Sequence, residues 1–212
     1  MVLALLFGSL VCCGMLAVRM AIGHSGRFMY LIWNLFLAWI PLILSFVIRR
    51  VRVPEGTQRG RVWWATVLWI LFFPNSLYIV TDLIHMKKFG TDGLPQWFDM
   101  MVTAAFACAG LFLGCLSLYL IHLSVRERAG YRVGWVFAVV MLALGSFGIY
   151  LGRFLRLNSW DVFTQPAKIL GKTATLLDKP SEVAAFSVTF FFFSLMAYWF
   201  LVAVARMHED EV

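Results

Sequence analysis

The sequence predicts an all-α, polytopic integral membrane protein with six transmembrane helices in a single helical membrane domain, residues 1–212. Three observations carry that prediction. The chain is 62% hydrophobic with a mean hydropathy of +0.84, whereas soluble domains are about 45–50% apolar. No soluble core could bury that excess, so lipid is the solvent for most of the surface. The charged fraction is only 14%, and it sits in clusters between long apolar runs. Alternating segments of about ten residues, the mark of a membrane β-barrel, are absent.

The first span is read at 2–18, ending at Arg19, where a short link with His24 and Arg27 begins. No Lys or Arg precedes this run and no small-residue cleavage site is clear, so it reads as a retained helix rather than a signal peptide. The second span is read at 28–48. It carries Asn34, and Pro41, which removes one backbone bond and is expected to kink it. The basic loop that follows holds Arg49, Arg50, Arg52, Arg59 and Arg61.

The third span, 62–85, is the most informative. Trp63, Trp64 and Trp69 near its basic end suit an interfacial aromatic belt. Farther along, an apolar stretch carries Pro74, Asn75, Tyr78, Asp82 and His85. At 100° per residue the last four fall within an arc of about 80°. Such a stripe does not face lipid; it faces protein, a ligand or water. Pro74 takes the donor from a carbonyl one turn back, and Asn75 is placed to help satisfy the freed groups.

The fourth span, 97–124, opens on Trp97, Phe98 and Asp99, with Asp99 suited to the positive end of the helix dipole. Gly110 and Gly114 form a G-x-x-x-G, which favours close helix contact. His122 reads as a helix-end histidine with cationic character. In the fifth span, 133–157, Gly145, Gly148 and Gly152 share one stripe, expected to pack on a neighbouring helix. Ser146, Tyr150 and Arg153 share another, roughly 140° away, expected to face the same interior as the third span. Residues 166–178 suggest a short amphipathic interfacial helix, with Ala167, Leu170, Ala174 and Leu177 on one face. The sixth span is read at 183–205.

Six spans put both termini on one side. Eight arginines lie in the two short loops on that side, Arg49–Arg61 and Arg126–Arg132, so both termini are expected in the cytoplasm. The same arginines account for the net charge of +7, and nucleic acid is not an expected partner. Cys12, Cys13, Cys108 and Cys115 all lie within apolar runs and are expected to be buried small hydrophobes.

With that topology the polar residues converge on the extracytoplasmic end. Asn34, Asn75, Tyr78, Asp82, His85, Asp99, Tyr150, Arg153, Arg156, Asn158, Trp160 and Asp161 are the candidate ligand-binding residues. Asp82 and His85, spaced i, i+3, admit a divalent metal; the plainer reading is that Asp82 pairs with Arg153. Arg153 and Arg156 suit a phosphate, with Trp160, Lys168 and Lys172 beside a lipid head group; the plainer reading is interfacial anchoring. No G-x-S-x-G, H-E-x-x-H or Walker motif is present.

Phe73-Pro74-Asn75-x-x-Tyr78-x-x-Thr81-Asp82-Leu83-x-His85, Trp97-Phe98-Asp99 and Gly148-x-Tyr150-Leu151-Gly152-Arg153-Phe154-x-Arg156-x-Asn158-Ser159-Trp160-Asp161 resemble the bacterial membrane family catalogued as domain of unknown function 1361. The resemblance runs over roughly residues 28–205 and implies a small multi-span protein of the bacterial cytoplasmic membrane. It implies no reaction. Three classes stay open: binding or transport of a small or lipid-linked anionic ligand, an enzyme acting on a lipid or cell-envelope phosphate, and a non-catalytic subunit of a membrane complex.

Overall fold

A computed structural model describes residues 2–51, 57–88, 90 and 92–209. Among them there is no strand, and six helices are long and apolar enough to cross a membrane. These are α1 (Val2–Gly23), α2 (Tyr30–Arg50), α3 (Thr57–Tyr78), α4 (Gln96–Ala129), α5 (Tyr131–Phe154) and α8 (Pro180–Glu209). Between α5 and α8 lie two short helices, α6 (Asp161–Thr164) and α7 (Pro166–Ala174), and a 3₁₀ turn, Thr175–Asp178.

α4 is the central element. In its apolar window 61% of residues are buried, against 17% for α1 and 22% for α8, which are peripheral. One core cluster joins Trp69 and Phe73 of α3 to Leu118 of α4, Leu142 of α5 and Tyr198 of α8. The other joins Leu16 of α1 to Leu31 and Leu42 of α2 and Phe106 and Leu113 of α4.

The glycine pairs explain how α4 and α5 approach α3. A β-carbon on Gly110 would lie 2.7 Å from the Ser76 carbonyl oxygen, and one on Gly114 would lie 2.6 Å from Ser76 Oγ. On α5, a β-carbon on Gly145 would lie 3.0 Å from Phe73, and one on Gly148 would lie 2.9 Å from Pro74 Cγ. Both expected glycine contacts therefore fall on the same helix, at its proline.

Several expectations need correction. α1 continues past Arg19, whose side chain is buried within the bundle rather than solvated in a link. The third span is not one α-helix: after Tyr78 it tightens into a 3₁₀ segment, Ile79–Lys88. Residues there advance by about 120° each instead of 100°, so the single stripe from Asn75 to His85 does not hold. Trp63 and Trp64 are exposed as an aromatic belt requires, but Trp69 is fully buried and donates from Nε1 to Ser117 Oγ at 2.7 Å. His122 is not a helix-end cation. It is buried, with Nδ1 2.6 Å from the Tyr198 hydroxyl and its ring edge-on to Trp135. Cys12 and Cys115 are buried, whereas Cys108 is exposed. On α7, Leu170 points outward at 74% exposure, while Ile169, which breaks the amphipathic pattern, lines a cavity against α5.

Candidate functional site

Arg153, in the last turn of α5, organises the site. Its Nη1 donates to Asp82 Oδ1 at 2.8 Å and to the Tyr78 hydroxyl at 3.1 Å, and its Nη2 donates to the Thr81 carbonyl at 2.7 Å. That carbonyl lies in the 3₁₀ segment, and an sp² oxygen with two lone pairs can accept from the guanidinium beside it. The guanidinium also sits 5.3 Å from the centre of the Tyr78 ring. Asp82 is 1% exposed, and its second oxygen accepts from Asn34 Nδ2 at 2.9 Å. α2, the 3₁₀ segment and α5 are thus tied at one end of the bundle by a buried carboxylate with a donor on each oxygen.

This arrangement does not fit the divalent metal that Asp82 and His85 suggested. Both Asp82 oxygens are engaged, and a metal there would sit against the Arg153 cation. Among the described residues no group of three or more His, Cys, Asp or Glu could hold a metal. The His85 side chain lies outside the described residues.

The Asp82 cluster borders a cavity of about 370 Å³ lined by Arg27, Phe28, Tyr30, Asn34, Tyr78, Asp82 and Arg153. A second cavity, of about 410 Å³, runs beside it between α2, α3 and α5. Trp33, Leu71, Pro74, Phe147 and Trp160 give it an apolar wall, and the bare backbone of Gly148 and Gly152 is part of its lining. The two cavities share Asn34 and Tyr78.

The chain after α5 closes one side of the second cavity. Arg156 takes a left-handed φ of +53°, a helix-ending conformation usually left to glycine, and the Leu157 N–H returns to the Leu151 carbonyl. This brings Ser159 to the proline of α3. Asn75 Nδ2 donates to Ser159 Oγ at 3.0 Å, and Ser159 Oγ donates to the Leu71 carbonyl at 2.9 Å. The carbonyl next to the proline-freed position is therefore satisfied by Ser159, and Asn75 acts through it. Asp161 accepts from the Asn158 N–H at 2.9 Å and from Lys168 Nζ at 2.8 Å. These donors, the backbone N–H first, hold its carboxyl below the usual carboxylate range. Trp160 meets Trp33 edge-on across the cavity.

Tyr150, Arg156, Asp99 and Lys172 line neither cavity. Tyr150 is buried and stacks on Phe154, facing Phe186 of α8. Arg156 is exposed, lines neither cavity and joins no ion pair among the described residues. Lys172 donates to the Leu155 carbonyl. Asp99 belongs to a separate group: Arg19 Nε donates to Asp99 Oδ1 at 3.0 Å, Arg19 Nη2 donates to Asp92 Oδ2 at 3.1 Å, and the Gly90 N–H donates to Asp99 Oδ2 at 3.1 Å. Arg27 pairs with Asp92 at 3.4 Å while also lining the polar cavity. The hydrogen bond from Arg19 leads the causes that hold the Asp92 carboxyl low.

The family model described as a protein of unknown function, DUF1361, matches residues 33–197. The chain belongs to the DUF1361 family. No curated protein and no solved structure matches it. The matched region of this DUF1361 protein contains Asn34, Tyr78, Asp82, Arg153 and the whole lining of the second cavity, while Arg19, Arg27, Phe28 and Tyr30 lie before it. Arg19 is the residue that reading the sequence missed. A single arginine after the seventeen apolar and small residues 2–18 looks like a loop flank. The available clue was that an acidic partner, Asp99, opens a span on the same side of the bundle.

Proposed function

We propose that this DUF1361 protein is a membrane protein that binds or transports an anionic ligand, small or lipid-linked, in the polar cavity beside Arg153. The observation that carries this reading is that cavity's lining: two arginines and one carboxylate, with an amide and two phenols. The lining brings two guanidiniums to one carboxylate, with Asp92 pairing with Arg27 from outside it, and guanidinium groups favour an oxyanion ligand. Arg153 spends three of its five N–H donors on Tyr78, Asp82 and Thr81. Among the described residues the Nε–H and one Nη2–H have no other acceptor, which leaves two donors to an oxyanion.

The binding reading stands ahead of the enzymatic one. A general base at Asp82 would first have to give up both Asn34 and Arg153. We further infer that the membrane is the bacterial cytoplasmic membrane and that the cavity opens on its extracytoplasmic side. The support is the arginine bias of the two short loops at the other end.

Native mass spectrometry of the protein extracted from its own membrane tests the proposal. Wild type is expected to carry an anionic species that Arg27→Gln loses. Arg27 is 43% exposed in its side chain, so that variant keeps the fold. Wild type and Arg27→Gln with identical adducts, or with none, would leave the polar cluster as bundle cement in a partner subunit.

A further inference from the structure

We propose that the ligand is a lipid-linked anion whose single apolar chain lies in the larger cavity while its oxyanion head sits at Arg153 and Arg27. This rests on the anion-binding reading above and names its ligand class.

The two cavities make one site of two chemistries. They meet at Asn34 and Tyr78, with the arginines on one side and an apolar, glycine-floored groove on the other. A small soluble anion would use only the first. The groove also opens on a flank of the spanning helices. Ile70 on α3 and Leu144 and Phe147 on α5 line it, and they are 42%, 53% and 37% exposed in the middle of spanning helices. Residues exposed at that depth face acyl chains, so a ligand anchored in the bilayer can enter sideways.

From Tyr78 to Ile70 the groove follows two turns of α3, about 12 Å at 1.5 Å per residue, room for a medium-length alkyl chain. Its volume of about 410 Å³ lies within the range of ligand sites, about 300–1,000 Å³. Trp33 and Trp160 meet edge-on at 6.5 Å where chain and head would join, and an indole tolerates one apolar and one polar neighbour. Gly148 lets α5 come close to Pro74 at this groove: a β-carbon there would lie 2.9 Å from Pro74 Cγ.

Equilibrium binding to the intact protein in neutral-lipid nanodiscs tests this with three probes: dodecyl phosphate, inorganic phosphate and dodecanol. Dodecyl phosphate is expected to bind at least tenfold more tightly than either of the others. Leu144→Trp, which fills the groove from its lipid-facing wall, is expected to weaken dodecyl phosphate tenfold or more and leave inorganic phosphate unchanged. Inorganic phosphate binding as tightly as dodecyl phosphate would overturn the lipid-linked assignment and leave the anion site standing. Dodecanol binding as tightly as dodecyl phosphate, or no binding of either phosphate, would overturn both. Full dodecyl phosphate affinity in Leu144→Trp would overturn the placement of the chain.

Discussion

At the scale of single residues, the molecule is governed by buried arginines with carboxylate partners. Arg19 and Asp99 have no exposed side-chain surface at all. Two such charges are tolerated only because each hydrogen-bonds the other and the remaining atoms find Asp92, Ser25 and the Gly90 N–H. Arg19→Gln leaves Asp99 charged and buried, and the expected loss is about 3–5 kcal/mol of stability. Arg27→Gln breaks a pair whose arginine is 43% exposed, and the expected loss is under about 1 kcal/mol. Denaturation midpoints of the two variants in detergent micelles check the difference; equal midpoints would mean that Arg19 is not a structural anchor. Composition and span counting could not show this, because burial of a charge depends on which helix lies beside it.

At the scale of elements, α3 is the surface on which the glycines of α4 and α5 close. Gly110 and Gly114 of α4 meet it at Ser76, and Gly145, Gly148 and Gly152 of α5 meet it at Phe73, Pro74 and Tyr78. Gly110→Ala would push a methyl against the Ser76 carbonyl, a backbone atom that cannot rotate away. The expected loss is about 1–3 kcal/mol. Gly8→Ala on α1, where a β-carbon meets nothing within 4 Å, is the matched control and is expected to leave the thermal midpoint unchanged or slightly raised. A Gly110→Ala midpoint equal to that of Gly8→Ala would remove close packing as the reason for the motif. The glycine stripes were legible from spacing, because i, i+4 repetition survives in a regular helix. The stripe of α3 was not, because Ile79–Lys88 leaves the α-helical period. A wheel drawn at one angle fails where the backbone tightens.

At the scale of the whole molecule, an even number of spanning helices brings the start of α1 and the end of α8 to one face; the polar cavity lies at the opposite end, and the apolar one runs from there to the middle of α3 and α5. A reporter fused after Val212 is expected to be active only if it folds in the cytoplasm; an externally active fusion would invert the proposed orientation and put the site on the cytoplasmic side. The sequence by itself determined the solvent, the number of spans and the end where the polar groups gather. Those follow from hydropathy and charge counted along the chain, which need no knowledge of neighbours. Only the tertiary structure decided how the polar residues divide: Asn34, Tyr78, Asp82 and Arg153 around one cavity, Asn75, Asn158, Trp160 and Asp161 in the wall and strap of the next, and Asp99 drawn off to Arg19. That division is set by helix rotation and by the turn at Arg156. A few tens of degrees move a side chain from one neighbour to another without changing anything that can be counted along the chain.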